Sequence, residues 1–175
     1  MRPLPQPRQQ LLPVELMTLP HAPILESRTL HWPDETACAA FAAGLARRPA
    51  LREACIALDG DLGAGKTTLV RHLLQALGVA GRIKSPSYTV LEPYALPGLA
   101  VSHFDFYRFD DPRDWEDAGF REVFAAPGLK LVEWPQKAGA LLPLPDLWLR
   151  FAVQGETQRE VKLHALTPRG LELLP

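Results

Sequence analysis

The stretch that most constrains this chain runs from Ala54 to Gly78. Ala54–Leu58 is a short apolar run of the kind that parallel sheets bury on both faces. Gly60–Thr67 then shows the spacing G-x-x-x-x-G-K-T. From Thr68 onward Leu69, Leu73, Leu74 and Leu77 recur at helical spacing until Gly78 supplies a C-terminal stop. A strand feeding a glycine loop that opens a helix is the context in which this motif cradles phosphate. Glycine at 60, 63 and 65 lets successive N–H groups turn inward, and the positive end of the following helix adds to their pull on a polyphosphate. Gly63, Ala64, Gly65, Lys66, Thr67 and Thr68 are therefore the candidate phosphate-binding residues. Lys66 is expected to reach the β- and γ-phosphates, and the Thr67 hydroxyl to bind Mg²⁺. A glycine turn that only starts a helix needs neither of those two side chains.

At 175 residues the chain has room for one domain with a sizeable core. Its net charge of −1 provides no basic field, which argues against tight unaided binding to nucleic acid. Cys38 and Cys55 belong to no C-x-x-C pair and lie in apolar surroundings, as buried, reduced thiols of a cytoplasmic protein do. No apolar run approaches the ~20 residues of a membrane-spanning helix. The N-terminus also lacks the continuous apolar segment of a secretory signal.

Residues 1–23 carry prolines at 3, 5, 7, 13, 20 and 23 without periodicity, and read as an extended or disordered arm. A single domain is expected over 24–167, with 168–175 as a tail. A first strand is expected around Ile24–Leu30. A helix should start near Pro33–Thr36, run to about Arg47 and bury Ala37, Phe41 and Leu45. Further apolar strands are expected at Leu99–Phe104 and Leu129–Val132, with a short helix from Asp111 to Gly119 between them. Alternation at Leu147–Val153 and Val161–Ala165, with Gly155 between, predicts an antiparallel hairpin with one buried face. Pro86 breaks the chain between Arg82 and Thr89, where Ser85, Ser87, Tyr88 and Thr89 crowd four hydroxyls. That segment suits either a switch-like loop sensing a γ-phosphate or a solvated turn.

A phosphate-loop protein also needs an acid at the end of a neighbouring strand, to hold Mg²⁺ or to orient water. Asp105 and Glu133 both end apolar strands and both qualify; a cap or a surface ion pair is the alternative for each. His103 reads as a half-buried strand residue and is left out of the site. The guanine-reading motif N-K-x-D requires asparagine, and the chain contains none. Arg108, Arg113 and Arg121 are scattered, which weakens the alternative of a small-molecule kinase with an arginine-rich lid.

Four ordered blocks carry a resemblance: Gly60–Thr68, Lys84–Thr89, His103–Arg108, and Glu133-Trp134-Pro135. In order and spacing they resemble the TsaE (YjeE) family, over about Leu30 to Leu166. The resemblance implies an α/β, three-layer phosphate-loop NTPase-like fold whose mixed sheet has a parallel core flanked by antiparallel strands. It implies a Mg²⁺-dependent ATPase, slow in isolation, needed for threonylcarbamoyladenosine next to the anticodon of bacterial tRNA. TsaB and TsaD are the implied partners, tRNA is met only through their complex, and no membrane is involved. By position it makes Lys66, Asp105 and Glu133 catalytic, Thr67 and Glu133 the Mg²⁺ ligands, and Trp134 part of the ATP site. Glu35 and Thr36 fall near the base. Ser87 stands where the family usually has Thr, so the hydroxyl is kept, and the proline arm has no family counterpart.

Overall fold

The computed structural model describes residues 22–175, so the expected arm lies almost wholly outside the described residues. One seven-stranded sheet organises the rest, in the order β1-β7-β6-β2-β5-β4-β3. Its centre is four parallel strands: β6 (Leu147–Val153), β2 (Cys55–Gly60), β5 (Leu129–Glu133) and β4 (Leu99–Asp105). β3 (Leu91–Leu96) runs antiparallel to β4 at one edge. At the other, β7 (Arg159–Ala165) runs antiparallel to β6 and carries β1 (Glu26–Trp32) on its far side. The predicted mixed sheet with a parallel core is what forms, and the hairpin read at 147–165 is β6 and β7.

Strand alternation divides the core in two. Ile56, Leu58, Leu129, Leu131, Leu147 and Leu149 face one way, against α1 (Glu35–Ala46) and α2 (Lys66–Ala76). Phe104 and Val132 face the other way and meet Phe106, Phe109, Trp115, Phe120 and Phe124, a packed aromatic cluster built on α3 (Arg113–Asp117) and α4 (Phe120–Ala125). Helices on both faces give the three layers.

α1 begins where the sequence places it, because the Asp34 carboxylate caps it by accepting from the Ala37 N–H at 3.1 Å. Its buried face falls one residue further round than the sequence suggests. Cys38, Ala42 and Leu45 are buried, while Ala37 and Phe41 lie half-buried at the margin. Cys38 is buried and Cys55 half-buried; desolvation pushes both thiols up to about 12, so both stay protonated at neutral pH.

The expected tail at 168–175 is corrected by the structure. Pro168–Leu173 forms a C-terminal helix, and Leu173 and Leu174 join the main core. The cause is a polar staple that the alternation pattern does not reveal. Thr167 caps this helix through the Gly170 N–H at 3.1 Å, and its hydroxyl donates to Asp146 at 2.6 Å. The other oxygen of Asp146 accepts from the Cys55 N–H at 2.8 Å, which ties the C-terminus to the start of β2. Leu173→Ala is therefore expected to cost about 2–5 kcal/mol, as a buried leucine does and a tail residue does not. Chemical denaturation of parent and variant measures it.

Candidate functional site

The site lies where β2, β4 and β5 end, at the carboxyl edge of the parallel core. Gly60 can leave β2 only as glycine: its φ is +153°, and a Cβ there would stand 2.8 Å from the Phe151 carbonyl oxygen. Gly65, at φ +108°, turns the chain into α2. Gly63, Ala64 and Gly65 thus lead into a helix whose first residues are Lys66, Thr67 and Thr68.

Alternation also explains why the acids converge. On β4, Val101, His103 and Asp105 share the α2 face; on β5, Leu129, Leu131 and Glu133 do. The register pairs Asp105 with Glu133 and His103 with Leu131, which stacks three polar side chains beneath the start of α2. Glu133, 2% exposed, is held by two donors. The Thr67 hydroxyl lies 3.0 and 2.8 Å from its two oxygens, and His103 Nε2 lies 2.8 Å from Oε1. Asp105 is also buried and accepts from the Ser85 hydroxyl at 2.6 Å and the Tyr107 N–H at 3.0 Å.

Lys66 is buried too. Its ammonium donates to the carbonyls of Gly60 and Asp61 at 2.5 and 2.9 Å and lies 4.2 Å from the centre of the Trp134 ring. Desolvation lowers its pKa, against the pull of the carboxylates of Glu133, Asp59, Asp105 and Asp61. Trp134 reaches that position through a left-handed backbone, φ 56° and ψ 49°, which costs a non-glycine residue of order 1–3 kcal/mol. It packs on Tyr107, with ring centres 5.0 Å apart, and forms a wall of the site.

Two adjoining cavities share Gly65 and Thr68. The first, about 390 Å³, is lined by Lys66, Thr67, Ser85, Asp105, Glu133 and Trp134 among others. The second, about 200 Å³, lies between the loop, the start of α1 and the β6–β7 turn, and includes Trp32, Glu35, Thr157 and Arg159. The expected residues therefore gather, with one exception. Glu35 lines the second cavity and accepts from His72 and Arg71 of α2, while its neighbour Thr36 is exposed and lines neither cavity. Of the hydroxyl-rich segment, Ser85 and Ser87 reach the first cavity. Tyr88 stays 83% exposed beneath Arg108.

Chemically, the first cavity offers a cation, a helix start and two carboxylates to an anionic chain of oxygens. Thr67 and Glu133 present adjacent hard oxygens. Among the described residues no group of three or more His, Cys, Asp or Glu could hold a metal alone. That donor set suits Mg²⁺, which keeps waters and shares its shell with substrate phosphates, better than a cation needing a full protein cage.

A phosphate loop between a parallel strand and a helix, with acids on the two neighbouring strands, defines a phosphate-loop NTPase-like protein. Comparison with known proteins narrows the class. The model of the family "Threonylcarbamoyl adenosine biosynthesis protein TsaE" matches residues 32–161, and the chain belongs to that family. It is 36% identical to the tRNA threonylcarbamoyladenosine biosynthesis protein TsaE of Haemophilus influenzae, covering 86% of this chain and 97% of that one. It is 35% identical to the Bacillus subtilis protein of that name, over 65% of this chain and 71% of the relative. The crystal structure of Bacillus subtilis YdiB superposes with a TM-score of 0.70 at 27% identity, covering 85% of this chain and 91% of that one.

The residue that sequence reasoning passed over is His103. It is fully buried: its Nε2 bonds Glu133, and its Nδ1 finds no hydrogen-bond partner among the described residues. The available signal was its place two residues before Asp105, which puts both on one strand face. Removing a donor from a buried carboxylate costs about 1–3 kcal/mol. His103→Leu is accordingly expected to be less stable than the parent by about 1–3 kcal/mol and to unfold at a lower denaturant midpoint. An unchanged midpoint would mean that the bond contributes nothing to the fold.

Proposed function

We propose that this chain is a Mg²⁺-dependent ATPase that serves threonylcarbamoyladenosine formation in tRNA, in the cytoplasm, as a subunit working with TsaB and TsaD. The observation that carries the reading is the contact between Thr67 and Glu133, which brings a loop hydroxyl and a strand-end carboxylate to one point beside Lys66. The role of the Haemophilus and Bacillus relatives in tRNA threonylcarbamoyladenosine biosynthesis supports the pathway.

In this reading the N–H groups around Gly63–Gly65 and the Lys66 ammonium bind the phosphates, and Thr68 stands between phosphate and base cavities. Thr67 and Glu133 hold Mg²⁺, which when bound neutralises charge on the phosphate oxygens. Asp105, fixed by Ser85 and the Tyr107 N–H, orients the attacking water. Trp134 walls the site beside Lys66 and limits the entry of other water. Glu35 lies on the base side. The kinase alternative draws less support: Arg108 lines the phosphate cavity, but Arg113 is paired with Asp111 at 2.7 Å and Arg121 is exposed.

A near-neutral chain should bind tRNA weakly by itself, since phosphate contacts dominate such affinity. Partners that cover the site and fix the Ser85–Thr89 segment should raise turnover. The test combines the chain with TsaB and TsaD, with and without ATP, and follows both co-purification and phosphate release. ATP-dependent association and faster release are expected. Lys66→Ala should lose both, because ATP binding weakens by about 1.5–3 kcal/mol when a charge-assisted contact is removed. A parent that neither joins the assembly nor gains activity from it contradicts the reading.

A further inference from the structure

We propose that Arg159, at the start of β7, is a positioning residue that sets the phosphate loop's backbone and fastens the loop to the β6–β7 turn. Its guanidinium works as a clamp on carbonyls. Nε donates to the Ala64 carbonyl at 2.9 Å and NH2 lies 3.5 Å from that of Gly63, both in the loop. NH1 serves the turn, at 3.3 Å from the carbonyls of Gly155 and Glu156 and 2.9 Å from that of Gln158. The same turn is tied to the entrance of α1, where the Thr157 hydroxyl donates to the Pro33 carbonyl at 2.9 Å. One side chain therefore joins the phosphate loop to a wall of the second cavity.

The consequence for the loop follows from peptide geometry. In a trans peptide the C=O and the next N–H point in opposite directions, and no described peptide bond is cis. Holding the Ala64 carbonyl on Arg159 aims the Gly65 N–H away from the guanidinium, across the loop. The preceding peptide is fixed as well, because the Ala64 N–H donates to Asp61 at 3.0 Å. With the loop's carbonyls held outward, its N–H donors are set before an anion arrives, and less ordering remains for binding to offset. Arginine suits the task because its planar fork offers donors in several fixed directions, whereas a lysine ammonium acts as a point charge. The hydrogen bonds that Arg159 makes to described residues all go to carbonyl oxygens, so direction matters here more than charge.

The proposal rests on reading the loop as a triphosphate site, and the experiment separates the two. Parent, Arg159→Met and Arg159→Lys are titrated calorimetrically with ATP and with inorganic tripolyphosphate, which has no base to touch the second cavity. The Gly65 amide resonance is followed alongside by NMR. Both variants are expected to bind both probes about tenfold more weakly, with the Gly65 amide displaced before any probe is added. Parental affinity for tripolyphosphate in Arg159→Met overturns the proposal. The same affinity in Arg159→Lys also overturns it, since charge alone would then suffice. If Arg159→Met does not fold, Arg159→Lys decides. If the parent binds neither probe, the triphosphate reading fails instead, and the clamp is judged on the amide alone: an unmoved Gly65 resonance overturns it.

Discussion

The rest of the site depends on how the buried Glu133 carboxylate is supplied with hydrogen bonds out of water. A buried carboxylate is tolerated only when its oxygens receive hydrogen bonds. Here the donors come from two other elements, Thr67 on α2 and His103 on β4. Each contact requires a long-range feature of the fold. His103 reaches Glu133 only because β4 and β5 pair in a register that sets Asp105 opposite Glu133. Thr67 reaches it only because Gly65 turns α2 over the ends of those strands. The same register brings Asp105 beside Glu133, and Lys66 lies among these acids and Asp59 and Asp61. Sheet pairing, loop conformation and charge distribution are thus one arrangement seen from three sides.

Around that centre the molecule is tied down at its margins. Trp134 holds a strained backbone so that its ring lies by Lys66, and Tyr107 supports the ring from the side. Asp146 and Thr167 lock the C-terminus to β2, the strand that delivers the phosphate loop. Among the described residues no helix is long and apolar enough to cross a membrane.

Much of this was legible in the sequence because it depends on local pattern. The glycine loop, the strand before it and the helix after it are contiguous, and the acids at 105 and 133 each end a short apolar run. What was not legible depends on pairing between distant segments. Ser102 and His103 interrupt their strand, and nothing local says that a glutamate on the next parallel strand will bury the imidazole. Arg159 sits in an alternating strand as an ordinary polar residue until the fold brings Ala64 beside it. The residues after 167 look like a tail, since the helix there depends on Thr167 finding Asp146 beside it, at the start of the neighbouring strand. Trp134, which the resemblance implies as part of the ATP site, packs on the aromatic cluster and at the same time lines the first cavity.

The account's central claim is that Glu133, and not Asp105, is the acid that holds the metal. Its most direct test compares Mg²⁺-dependent phosphate release by Glu133→Gln and Asp105→Asn, each beside its ATP affinity. Glu133→Gln keeps the size and removes the charge, so it should bind ATP nearly as the parent does while losing most turnover and its response to added Mg²⁺. Asp105→Asn should slow turnover and keep the parent's Mg²⁺ dependence. If Asp105→Asn abolishes the Mg²⁺ response and Glu133→Gln leaves it intact, the two acids have the opposite roles and the account is wrong at its centre.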